Sequence, residues 1–109
     1  MYMLTKKEKV MSDSVKFHEL YNRSGGGTIR DYALRIVYIN PEHVVCLRED
    51  ERALSLLNEG YLPAGLDPRQ EFTKVSLNRG PSGQEITVVG PIHDVHDKLN
   101  SANKSLLKG

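Results

Sequence analysis

The residues of this chain best suited to chemistry lie in two arginine-flanked glycine loops. The first is Arg23-Ser24-Gly25-Gly26-Gly27-Thr28-Ile29-Arg30 and the second is Asn78-Arg79-Gly80-Pro81-Ser82-Gly83. Glycines let successive backbone N–H groups point at one anion, and guanidinium groups grip phosphate or carboxylate through paired hydrogen bonds. The candidate ligand-binding residues are therefore Arg23, Ser24, Gly25, Gly26, Gly27, Thr28, Arg30, Arg79, Gly80 and Ser82. Such a set would hold a nucleotide, a phosphate ester or an acidic peptide. Neither loop matches GxxxxGK followed by Ser or Thr, nor GxGxxG, and no acidic residue stands at the spacing that takes a ribose. The same composition also suits plain hairpin connections with solvated arginines.

Other reactive groupings lead nowhere so specific. His93, His96 and Asp97 fall at helical spacing, but a metal would need further ligands from elsewhere and no HExxH pattern occurs, so no metal is expected. Cys46 is the single cysteine, which excludes an intrachain disulfide and a cysteine-built zinc site. Set in Val44-Val45-Cys46-Leu47, it reads as a small core residue rather than a nucleophile. There is no GxSxG elbow, and Glu49-Asp50-Glu51 are too close in sequence to form an acid–base pair. The expectation is a non-enzymatic protein with no catalytic residue and no cofactor.

The 109 residues carry 15 Lys plus Arg and 14 Asp plus Glu, a formal charge of +1. That balance argues against wholesale coating of nucleic acid, which needs a positive surplus or a clustered patch. No run of about 18 apolar residues is present to span a membrane. A chain this short supports one core, so residues 1–11 read as a flexible leader and 12–109 as a single β-rich domain. The leader lacks the apolar stretch of a secretory signal, Met11 reads as a second start of translation, and the composition fits a cytoplasmic protein.

These loops must be positioned by strands. Val15–Leu20 alternates as a first strand, Tyr32–Asn40 is rich in β-formers, and Asn40-Pro41-Glu42 turns the chain into a third strand over His43–Arg48. The Val44-Val45 pair suggests burial on both faces. Glu49–Asn58 predicts a short helix with acidic residues at its start, an apolar stripe of Leu54, Leu57 and Ala53, and Gly60 as its stop. Tyr61–Gln70 is an irregular insertion displayed at the surface. Phe72–Asn78 and Gln84–Val89 form a hairpin, and Gly90-Pro91 opens a C-terminal helix, 91–108, with Ile92, Val95, Leu99, Ala102 and Leu106 on one stripe. The fold class is thus α+β: a small antiparallel sheet or partly open barrel of about five strands, a C-terminal helix and a short helix in an insertion.

Two segments carry a resemblance: Ile36-Val37-Tyr38-Ile39-Asn40-Pro41-Glu42-His43-Val44-Val45, and Thr73–Leu77 with Gly83, Ile86–Val89 and the Val95…Leu99 helix start. Together they resemble small proteins of the flagellar FlbD type and many short tailed-phage proteins. The Glu51–Glu71 segment has no counterpart in the short family, so flagellar function is not carried over. The resemblance implies a small phage accessory protein, cytoplasmic in its host, that sequesters a ligand or blocks a host factor. From the residues, the expected partners are further copies of the chain, through the C-terminal stripe, and an anionic small molecule such as a nucleotide. The alternative is an inhibitor module gripping a host enzyme through Tyr61, Leu62 and Arg69, with Leu99 and Leu106 as further partner-binding residues. A third reading, a nucleic-acid factor using the same arginines with Tyr21 and Tyr32, is less favoured by the charge balance.

Overall fold

The computed structural model describes residues 14–25, 29–78 and 83–108, with side chains through Ser101. Five strands form one antiparallel sheet: β1 (Val15–Asn22), β2 (Tyr32–Ile39), β3 (Val44–Glu49), β4 (Phe72–Leu77) and β5 (Gln84–Val89). Their order is β2-β1-β5-β4-β3. Helix α1 (Glu51–Asn58) and the C-terminal helix α2 (Ile92–Lys108) complete an α+β fold.

The alternation of each strand sorts its residues onto two faces. On the inner face, Phe17, Ile39, Val75, Ile86 and Val88 are buried together with Val95 and Leu99 of α2, and Val37, Val44 and Leu47 pack against them. Residues from both edge strands, β2 and β3, share this cluster, so the sheet curls around it without closing. The Asn40–His43 connection turns the chain between the two edges. Asn40 Oδ1 accepts from the Glu42 N–H at 3.0 Å, and the Asn78 N–H donates to the His43 carbonyl at 2.7 Å. On the outer face, Leu20, Ala53 and Phe72 form a second cluster that Tyr32, Leu34, Leu57, Leu62, Leu66 and Val89 join.

Four expectations change at the level of packing. Val45 is exposed, because β3 is an edge strand and its register with β4 shifts between Val44 and Cys46, turning that side chain outward. Cys46 on the same edge is half-buried, not a core residue. In α1 the buried residues are Ala53 and Leu56 while Leu54 is exposed, since the helix meets the sheet one residue further round than its sequence stripe implies. The 61–70 insertion has no regular structure, but Leu62 and Leu66 pack onto Leu20 and Phe72, so it is anchored in the second cluster as well as displayed.

Candidate functional site

The outer face carries an open cleft of about 1020 Å³ between the strands and α1. Its walls include Leu20, Asn22, Tyr32, Lys74, Glu85 and Thr87 from the sheet, Asp50, Arg52, Ala53 and Leu56 from α1 and its cap, and Arg30 and Tyr61 from the flanking segments.

Local sequence builds this geometry. Asp50 is the N-cap of α1, and its Oδ1 accepts from the Ala53 N–H at 3.0 Å. Its Oδ2 accepts from the Thr87 hydroxyl at 2.5 Å, which ties the helix start to β5. The other helix end is a Schellman turn: the Tyr61 N–H donates to Leu56 O at 3.0 Å and the Gly60 N–H to Leu57 O at 3.1 Å. Gly60 has φ +82°, a left-handed conformation that glycine adopts without penalty. This turn sets Tyr61 at the rim of the cleft, where the Arg30 guanidinium lies 4.5 Å from its ring centre. Arg30 and Tyr61, drawn from separate sequence-based sets, therefore meet.

Strand register brings in residues that the sequence did not single out. Leu20 pairs with Thr87, Lys74 with Thr87, and Arg48 with Lys74, so these four side chains form one row across β1, β5, β4 and β3. Lys74 is half-buried and lines the cleft together with Arg52 of α1, while Arg48, its register partner on the edge strand, is exposed and is not in the lining. Like charges directly opposite on neighbouring strands repel, at a cost of roughly a few tenths of a kcal/mol. Among the described residues, Arg30, Arg48, Arg52 and Lys74 have no carboxylate within ion-pair distance; the pairs found there involve Arg23, Arg35, Arg69, His93 and His96. Of the two carboxylates in the cleft wall, Asp50 is engaged as above and Glu85 accepts from the Ser76 hydroxyl at 3.2 Å. Period-two alternation over Phe72–Leu77 could have placed Lys74 opposite the core face, but only the register shows what stands beside it.

The end of β1 and the start of β5, which flank the two glycine loops in sequence, lie at the same end of the sheet, because β1 runs antiparallel to β5 and Leu20 pairs with Thr87. The first loop is braced by its own bonds. Arg23 Nη2 lies 2.7 Å from Asp31 Oδ1, and that hydrogen bond holds the Arg23 pKa above its ordinary value. Asn22 Oδ1 accepts from the Ser24 N–H at 3.0 Å, and the Ser24 hydroxyl lies 2.7 Å from the same oxygen. Arg23 and Ser24 thus brace the hairpin through bonds within it, and Gly25 serves the turn with φ +81°. Gly26, Gly27, Thr28, Arg79, Gly80 and Ser82 lie outside the described residues. Arg35, which was not singled out, pairs with the buried Glu19 at 2.9 Å and lies 4.0 Å over the Tyr21 ring; the bond to Glu19 raises its pKa.

The other expected partner residues scatter. Leu99 is buried in the inner core against the sheet. Leu62 packs inward, and Arg69 is exposed beside Asp67 at 3.6 Å. Leu106 lies in α2 with its side chain outside the described residues. His93 and His96 approach the adjacent Asp94 and Asp97 at 3.2 and 3.7 Å. Among the described residues no three His, Cys, Asp or Glu side chains group as for a metal ion, and no helix is long and apolar enough to cross a membrane. No protein-family model matches the chain, and no curated protein or solved structure is significantly similar to it.

Proposed function

We propose that the protein is a non-enzymatic binding protein that sequesters an anionic ligand in the cleft between the outer sheet face and α1. The observation that carries this reading is that Arg30, Arg52 and Lys74 line one cleft, with no carboxylate partner for any of the three among the described residues. A fold that holds cations together in a concave site is stabilised when an anion enters, and Lys and Arg supply point-charge and bidentate contacts respectively. Its volume lies at the upper end of small-ligand sites. The cleft supports this reading above the inhibitor reading, since the insertion gives Leu62 and Leu66 to the core and Tyr61 to the cleft rim.

Calorimetric titration of the full chain with inorganic pyrophosphate tests it. Binding is expected to weaken about tenfold in Lys74→Ala or Arg52→Ala, to weaken as salt is raised, and to be unchanged in Arg23→Ala, whose side chain pairs with Asp31. No heat from pyrophosphate at low salt, or equal affinity in the Lys74 and Arg23 variants, would remove the cleft as the site.

A further inference from the structure

The cleft is not lined by cations alone. Tyr61 lies on its rim with 44% of its surface exposed, and Tyr32 stands in the same lining. The guanidinium of Arg30 already covers one aromatic face at 4.5 Å. A planar cation over an exposed ring occupies the position that a planar ligand ring would take, or would extend as a third layer of the stack. The two functions are delivered by different elements. The flanking segments supply the flat surfaces, Arg30 and Tyr61, while β4 and α1 supply the charge, Lys74 and Arg52.

From this division we infer that the ligand is a nucleotide, a planar base joined to phosphate, with the base against Tyr61 and Arg30 and the phosphate between Lys74 and Arg52. The inference rests on the cleft being the anion site. It adds a requirement that a purely anionic ligand does not meet. An inorganic polyphosphate would leave Tyr61 unused, and a nucleoside would leave the half-buried Lys74 ammonium without a counter-charge. The mononucleotide is favoured over a polynucleotide because the cations converge within one concave site instead of tracking along a surface.

The discriminating experiment compares four probes on the full chain: nucleoside mono- and diphosphates of the four bases, the matching nucleosides, inorganic pyrophosphate, and a short single-stranded oligonucleotide. Base stacking on an aromatic side chain leads to an expectation that the best nucleotide binds at least about fivefold more tightly than pyrophosphate. The variant Tyr61→Ala should lower nucleotide affinity to the pyrophosphate level while leaving pyrophosphate affinity as it was. Lys74→Ala should weaken both, and circular dichroism on each variant reports that it is folded. If pyrophosphate binds as tightly as every nucleotide, or Tyr61→Ala changes nothing, the nucleotide inference fails and the anion site stands. If neither phosphate probe binds, both fail. An oligonucleotide bound more than about tenfold tighter than any mononucleotide would overturn the inference in favour of a nucleic-acid surface.

Discussion

Single residues hold the cleft open in a defined shape, and Asp50 shows how much one side chain can organise. Its two carboxylate oxygens serve separate elements, the α1 N-terminus through the Ala53 N–H and β5 through the Thr87 hydroxyl. It is buried, so each bond is made away from water. Removing it leaves both a helix without its cap and a hydroxyl without an acceptor. Asp50→Ala is therefore expected to lower stability by about 2 kcal/mol, measured as a fall in urea midpoint without a change of slope. Thr87→Val removes only the second bond and should cost about half as much. Equal losses in the two variants would mean that the cap contributes nothing. In the sequence Asp50 stood as one of three adjacent acids at the start of a helix expected from Glu49, whereas the helix begins at Glu51 and Asp50 is its cap. Its second partner was not legible, because Thr87 is 37 residues away.

At the scale of elements, the decisive piece is the turn between α1 and the insertion. Gly60 was readable as a helix stop, and the Schellman bonds explain why it must be glycine. Any side chain there would force a left-handed φ of +82° on an L-residue, although the space around it is open. Gly60→Ala is expected to destabilise by about 1 kcal/mol from backbone strain alone. On the proposal that the cleft takes a nucleotide, it should also weaken that binding by more than the loss of stability explains, because Tyr61 follows directly. Thermal unfolding and calorimetry on the same variant separate the two effects; unaltered affinity would show that the turn does not position the ring. The insertion was visible as an irregular segment, yet its anchoring was not, since Leu62 and Leu66 carry no periodic pattern that marks their inward direction.

For the whole molecule, the C-terminal helix closes the inner face of the sheet with Val95 and Leu99, which are 1% and 5% exposed. That stripe was evident in the sequence, but amphipathicity alone does not say whether a helix covers its own sheet or another subunit's. Leu99→Ala is expected to cost about 2–4 kcal/mol by opening a cavity in the inner core, with no change in molecular mass in solution. A shift in subunit number with little change in unfolding midpoint would instead place Leu99 at an interface between chains. The sequence by itself determined the five strands, two helices and α+β class, because alternation, proline and glycine act over a few neighbours. It also supplied Arg30 and Tyr61 as separate candidates. Only the tertiary structure decided which cations are engaged and which line a cleft: Arg23 meets Asp31 across the hairpin, while Arg30, Arg52 and Lys74 come together in the cleft lining. Charge placement across strands depends on pairing between residues far apart in the chain, and no local pattern encodes that register.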